Sequence, residues 1–345
     1  MKTENNEELL PFKYDITSYG ADFDVIGLVR RLNDNDIFIP PFQRQYVWTQ
    51  TDASRFIESL LLGLPIPGVF LSKEQETNRL LVIDGQQRLR SVQYFVNGYF
   101  KDKNKDFTLI GVQKEFNGKT YQTLDREDRR KIDNSIIHTT IIEQTKPTDD
   151  KSSIYYIFER LNTTGKKLLD QEIRACIFSG AFIDLLSKLN QNKKWREMFG
   201  AKNNRMRDQE MILRFLSLYY NRKNYSKSMK FFLNSFLGNN RKLNIITSNE
   251  ISTLFNNTID CVYICLGTKA FKPKKSFVAA LFDAVMIGIA ERLKNDNQIN
   301  KIRLKSVYKK LLEDSTFIDS ISVGTSDRKK VIYRIDAAIK AFKTS

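Results

Sequence analysis

The residues whose types and spacing best suit chemistry are Asp84, Gly85, Gln86, Gln87 and Arg88, inside the run LLVIDGQQRLRSVQYFV from Leu80 to Val96. Leu80–Ile83 is a short apolar run of buried-strand type. Asp84 and Gly85 make a sharp turn. From Gln86 the period becomes helical, with Leu89, Val92, Phe95 and Val96 on one face. A strand therefore hands over, through a glycine, to a helix whose first turn carries Gln86, Gln87 and Arg88. The first backbone N–H groups of a helix lack internal partners and sit at the positive end of its dipole, so the turn suits an anion, above all a phosphate. Gly85 lets a ligand come close, Arg88 can fork onto phosphate oxygens, and Asp84 could hold a metal or orient water. The same pattern also describes an ordinary strand–turn–helix, with Asp84 as N-cap and Arg88 in solvent.

A second polar group stands in IFIPPFQRQYVW, Ile37–Trp48. Pro40 and Pro41 end regular pairing and force an extended segment. Phe42, Tyr46 and Trp48 can anchor that segment while it presents Gln43 and Arg44 to a ligand. A plain loop packed on the core by its aromatics, with Arg44 in an ion pair, is the alternative.

Composition limits the chemistry. The chain has 345 residues, three cysteines and one histidine. Cys176, Cys261 and Cys265 provide neither a disulfide framework nor a zinc site, and read as small core residues. His138, in the strand-like SIIHTTII, reads as structural. One histidine cannot supply the several that a His-metal centre or an HNH nuclease centre needs, and with His138 read as structural no Ser-His-Asp triad is expected. The formal charge is +16 and the pI about 9.6, which favours phosphate-bearing partners, although abundant Lys, Asn and Ile also follow from an AT-rich genome. No apolar run is long enough to span a membrane, and the acidic, polar start MKTENNEELL is not a secretory signal, so a cytoplasmic protein is expected.

These groups must be positioned by an α+β scaffold. Residues 1–20 read as a loosely held arm, followed by a short helix around Phe23–Leu32 with Asp22 or Asp24 near its start. A helix from Thr49 or Thr51 to about Leu62, a hairpin of Val69–Leu71 with Leu80–Ile83, a strand at Phe107–Ile110, a helix at Asp125–Asn134 and a strand at Ile136–Ile142 complete the first part. From Pro147 the pattern is almost wholly helical, with Asp170 expected to cap one helix and later helices near 181–189, 208–221, 226–237, 249–266, 276–294, 301–313 and 326–342. The expected division is a domain at 1–147 and a mainly α-helical domain at 148–345.

Four stretches, IPPFQRQYVW, FIESLLLGLPIPGVFL, LVIDGQQRLRSV and IFERLNTTGKKLLDQEIRACIF, in this order resemble the N-terminal domain of GmrSD-type restriction proteins. The resemblance covers about residues 20–180. It implies a ParB/sulfiredoxin-like α/β fold that binds a nucleoside triphosphate, GTP or ATP with Mg²⁺, and in several members hydrolyses it. Carried onto this chain, it brings Gln43 and Arg44 to the nucleotide, and Asp84, Gly85, Gln86, Gln87 and Arg88 to its phosphates. ERLNTTG faintly resembles the ParB metal and phosphate motif, which makes Glu159 and Asn162 metal candidates beside Asp84; helix capping is their alternative. The chain departs from many relatives in lacking the histidines of an HNH domain. It has no Walker A sequence either, because Arg160 stands where the first glycine would be.

The expected function is a nucleotide-binding, NTP-hydrolysing sensor subunit of a prokaryotic modification-dependent restriction or antiphage system. Asp84, Arg88 and Gln87 would be its catalytic residues. DNA and a separate nuclease are the expected partners, a homo-oligomer is left open, and no membrane is involved. The rivals are a non-catalytic DNA-binding module and a nucleotide-stabilised scaffold. For the first, Lys193–Arg207, Arg222–Lys230 and Lys269–Lys275 are candidate phosphate-contacting surfaces.

Overall fold

The computed structural model describes residues 15–39, 46–75, 77–146, 152–161, 169–201, 203, 205–226, 228–295 and 299–343. Two compact units divide the chain, Met1–Leu168 and Leu169–Ser345. The first is α+β. It contains β1 (Asp15–Asp24), α1 (Val25–Asn33), β2 (Ile37–Phe38), α2 (Gln50–Leu61), β3 (Val69–Lys73), β4 (Leu80–Asp84), α3 (Gln86–Asn97), β5 (Tyr99–Phe100), β6 (Asp102–Asp106), α4 (Arg126–Asn134), β7 (Ile136–Lys146) and α5 (Ser152–Leu161). The second holds the helices α6 (Asp170–Ile177), α7 (Ala181–Leu189), α8 (Lys193–Phe199), α9 (Arg207–Asn221), α10 (Met229–Asn240), α11 (Ser248–Leu266), α12 (Ala279–Asn295), α13 (Lys301–Glu313), α14 (Ser315–Ser322) and α15 (Arg328–Phe342).

The main sheet of the first unit is mixed, in the order β1-β7-β3-β4-β2. β3 pairs antiparallel with β4, as the hairpin pattern predicts, and parallel with β7, while β2 runs parallel to β4. An apolar run without alternation suits a strand covered on both faces. Leu80, Leu81, Val82 and Ile83 of β4 are all buried. Leu80 and Val82 join a core with Leu28, Ile57, Leu71, Leu89 and Phe95. Leu81 and Ile83 point to the other pleat, and α5 packs against β4. Because α5 packs with the sheet, the division falls at Leu168/Leu169 rather than where the helical pattern begins at Pro147.

The helix starts follow capping chemistry. Asp24 caps α1, its Oδ1 accepting from Gly27 N at 2.6 Å. Thr49 and Asp52 form a reciprocal capping box on α2. Asp125 caps α4 through Asp128 N.

Several expectations are corrected. Residues 15–20 are not a loose arm but part of a ten-residue strand, β1, paired antiparallel with β7. Its residues are mostly exposed, so it has no apolar alternation to read, and its pairing with β7 makes it a strand. Phe107 and Leu109 are buried but lie outside any strand, and the neighbouring strand is β6, Asp102–Asp106. Leu169, not Asp170, is the N-cap of α6, with Glu172 Oε2 accepting from Leu169 N at 2.6 Å. α8 and α14 were missed because each is short and buries only a few apolar side chains, Trp195 with Met198 and Phe317 with Ile321. His138 is in a strand, as expected, but exposed there, with Nδ1 2.7 Å from Oδ1 of its cross-strand neighbour Asp22.

In the second unit α12 is apolar around nearly its whole circumference, which marks a central helix. Leu281, Phe282, Val285, Met286, Ile287 and Ile289 are fully buried. Gly288 lets α15 approach closely, because a Cβ there would lie 2.7 Å from Phe342 Cδ2 and 3.0 Å from the Ala338 carbonyl carbon. Among the described residues no helix is long and apolar enough to cross a membrane.

Candidate functional site

The turn between β4 and α3 depends on one glycine. Gly85 is the N-cap of α3 with φ +98°, a left-handed conformation that other residues adopt at a cost. A Cβ at this position would lie 2.3 Å from Val69 Cγ1 and 2.7 Å from Val69 Cβ on the neighbouring strand. Both backbone conformation and space therefore demand glycine. Gly85→Ala is expected to destabilise the fold by about 2 kcal/mol or more, from strained backbone plus overpacking, read as a lowered urea midpoint.

With Gly85 as N-cap, α3 begins without a side-chain capping hydrogen bond. Asp84 is not the cap. Its Oδ2 instead accepts from Arg88 Nη2 at 2.9 Å, and the Arg88 side chain is only 14% exposed. The plain strand–turn–helix reading therefore does not describe this turn, since Asp84 does not cap it and Arg88 is not in solvent. The N–H groups of the first turn, at Gln86, Gln87 and Arg88, have no intrahelical acceptor and lie at the positive end of the helix. One guanidinium and one half-buried carboxylate stand beside them.

Gln87 does something the sequence does not announce. Its Oε1 accepts from the backbone N–H groups of both Val47 (3.0 Å) and Trp48 (3.2 Å). One turn on, Ser91 Oγ donates to the Gln87 carbonyl at 2.7 Å, so the Tyr46 hydroxyl, 2.7 Å from Ser91 Oγ, is the donor in that pair. Burial pushes the Tyr46 phenol up to about 12, against the opposing effect of the Ser91 hydrogen bond, which keeps this donor protonated. The Tyr46 ring packs edge-on against Tyr94 at 5.2 Å and Phe100 at 5.9 Å, and Trp48 against Phe56 at 5.7 Å. Residues 46–48 are thus stapled to α3 by side-chain and backbone bonds together. The aromatic anchoring was legible in the sequence, but the Gln87 staple was not, because nothing in the spacing ties it to a segment forty residues earlier.

Gln43, Arg44 and Asn162 lie outside the described residues. The described residues on either side of 40–45 do converge on this turn: β2 pairs with β4, and Tyr46–Trp48 sit on α3. Glu159 is half-buried on α5, the helix that packs on β4. Among the described residues no three His, Cys, Asp or Glu side chains cluster closely enough to hold a metal ion by themselves.

Gln87 is expected to act by position. Gln87→Ala removes both acceptor bonds to residues 47 and 48 and should destabilise the fold by about 1–3 kcal/mol, read as a lowered urea midpoint. Gln87→Glu keeps the acceptor and should restore most of it.

Several cations of the first two basic stretches are committed to structure. Arg196 Nη1 is 2.6 Å from Asp208 Oδ2, Arg205 pairs with Glu172 at 2.9 Å, Lys194 with Asp260 at 3.0 Å, and Arg222 with Glu291 at 3.1 Å. Lys269, Lys274 and Lys275 are exposed.

Residues 26–179 match the family model described as the GmrSD restriction endonuclease, N-terminal domain. An uncharacterized protein of Methanocaldococcus jannaschii is 33% identical over 97 residues, an alignment covering 21% of this chain and 17% of that protein. The match thus spans less than a fifth of the relative's length.

Proposed function

We propose, from the match of residues 26–179 to the N-terminal domain of the GmrSD restriction endonuclease, that this chain is the nucleotide-binding, NTP-hydrolysing sensor subunit of a prokaryotic modification-dependent restriction or antiphage system. DNA cutting falls to a separate protein, since an HNH centre needs histidines and this sequence has one. For the first unit we assign a ParB/sulfiredoxin-like fold, with which its mixed sheet and strand–glycine–helix turn are compatible.

The observation that carries the reading is the β4–α3 turn: a left-handed glycine with no side chain, helix N–H groups without a side-chain cap, and Arg88 held against Asp84 beside them. Phosphoryl transfer asks a protein mainly for positioned phosphates and charge neutralisation. Here the first-turn N–H groups of Gln86, Gln87 and Arg88 cradle the phosphates, and Arg88 exchanges Asp84 for phosphate oxygens when nucleotide arrives. Gln43 and Arg44, which lie outside the described residues, are the further nucleotide contacts that the family resemblance implies. Gln87, its carbonyl oxygen engaged by residues 47 and 48, has its NH₂ left to orient water. Mg²⁺ takes oxygen ligands, often one or two carboxylates together with substrate phosphates. Asp84, with Glu159 and Asn162 as further candidates, would hold it, and the ion would neutralise phosphate charge.

The test is phosphate release by the purified protein with Mg²⁺ and each common nucleoside triphosphate, with and without modified DNA. Turnover of GTP or ATP is the expected result. Absence of both turnover and binding with every nucleotide removes the reading. DNA binding that falls steeply with salt and ignores nucleotide would replace it with the DNA-binding module.

A further inference from the structure

The second unit contains an open cleft of about 720 Å³, between the end of α9, the first half of α11 and the last turns of α12. That volume is in the range of sites for single small ligands. Its walls differ in chemistry. Tyr219 and Tyr220 form one, their rings 5.0 Å apart and nearly perpendicular. Asn249, Thr253 and Asn257 form another. They recur at every fourth residue of α11 and so make one polar stripe along the cleft. Lys294 stands at the rim, exposed and without a carboxylate partner among the described residues.

The wall is held in place without a ligand. Tyr220 OH donates to Glu250 Oε1 at 3.2 Å, and burial together with that carboxylate pushes its phenol well above the ordinary range, so it remains a donor. Arg222 pairs with Glu291 at 3.1 Å. Both carboxylates and the arginine are therefore engaged, and Lys294 remains as the cation free to meet a ligand. Such a lining is too nearly neutral for a triphosphate. It is too polar for a lipid or an apolar helix. It also offers no unengaged carboxylate of the kind that binds sugar hydroxyls. What it offers is an aromatic surface, a row of side chains that both donate and accept, and a single cation at the edge.

We propose that this cleft is a second ligand site, which takes an unpaired nucleobase. The base stacks on the tyrosines, its hydrogen-bonding edge meets Asn249, Thr253 and Asn257, and the attached backbone lies toward Lys294. Stacking on an aromatic side chain tolerates any base, and amide side chains can read a base edge. The base can come from a free nucleoside or from a single-stranded or extruded position in DNA. The proposal does not require the β4–α3 turn to bind nucleotide.

The experiment uses the full chain carrying Arg88→Ala, so that the proposed triphosphate site is weakened. The four deoxynucleosides and a short single-stranded oligonucleotide are each titrated by calorimetry. Saturable binding is expected, weakened about tenfold or more by Tyr220→Ala and by Asn257→Ala. Tighter binding of the oligonucleotide than of any nucleoside, reduced by Lys294→Glu, identifies a nucleic acid strand as the source. Equal or tighter binding of a nucleoside, indifferent to Lys294→Glu, identifies a free metabolite. Lys294 is exposed and Asn257 lies on the surface of α11, so these two variants stay informative if Tyr220→Ala fails to fold. No binding of any probe, or binding unchanged by Tyr220→Ala and Asn257→Ala, overturns the proposal. Loss of triphosphate binding by the wild-type protein would leave these outcomes unaffected, so the two readings fail separately.

Discussion

Asp283→Ala is expected to destabilise the second unit by about 4 kcal/mol or more, a large fraction of the roughly 5–15 kcal/mol that holds a typical domain together. Asp283 is fully buried in the middle of α12. Its two oxygens accept from Arg214 of α9 at 2.7 Å each, and Oδ2 also accepts from Arg334 of α15 at 2.8 Å. Burial favours a neutral guanidine at Arg214, but attraction and hydrogen bonding from Asp283 outweigh it and hold the group above its ordinary value. Arg334 is fully buried, donates Nη1 to the Thr325 carbonyl at 2.7 Å, and leaves Nε without a partner. One carboxylate therefore compensates two buried guanidinium groups, and its removal strands both. Asp283→Asn should lose most of the same stability, because shape is kept and charge is not. Replacing all three residues by apolar ones of similar volume should recover much of the loss, since buried ion clusters contribute less to net stability than their breakage suggests. Urea denaturation of the three variants is the check. The cluster also has a positional consequence: α12 is apolar on nearly every side, and Asp283 fixes which side meets α9 and which meets α15.

Asp84→Ala and Arg88→Ala are expected to lower phosphate release by about a hundred- to a thousandfold each, the usual cost of removing one electrostatic stabiliser of a transition state. The pair forms a partly buried i,i+4 contact, so its loss should cost about 1–3 kcal/mol of stability, little enough for the fold to survive. The two variants should separate. Arg88→Ala removes a phosphate ligand and should weaken nucleotide binding. Asp84→Ala frees Arg88 and removes a metal oxygen, so it should lose turnover while retaining more binding. The double variant should lose little more than the worse single one, because the two residues act as one unit. Full turnover in either single variant would exclude the β4–α3 turn as the reaction centre.

How much of this was legible beforehand depended on the physical basis of each feature. The β4–α3 handover could be read because it rests on local facts: an apolar run, a glycine, and a change of period. Asp24 and Thr49 were each one of two caps that the sequence offers for their helices, whereas Asp170 and Asp84 look like caps and are not. β1 was not, because Ile16–Asp24 owe their conformation to pairing with Ser135-proximal β7, more than a hundred residues later, and not to any pattern of their own. Nothing in the stretch Lys193–Arg207 shows that Arg196 and Arg205 are paired within the fold, because their partners, Asp208 and Glu172, are set by helix packing. Asp283 left a signal that went unused: a lone carboxylate in AALFDAVMIGIA, a helix otherwise apolar all round, requires a buried cation. The Gln87 staple left none, since a glutamine in a first helical turn looks the same whether it faces solvent or a distant backbone.

The most direct measurement is calorimetric titration of the wild-type chain and Arg88→Ala with GTP and with ATP in the presence of Mg²⁺. Saturable binding of at least one triphosphate to the wild type, weakened about tenfold or more by Arg88→Ala, is the predicted result, since a charge-assisted hydrogen bond contributes about 1.5–3 kcal/mol. Absence of binding by the wild type, or equal binding by both proteins, would contradict the assignment of the β4–α3 turn as a nucleotide site.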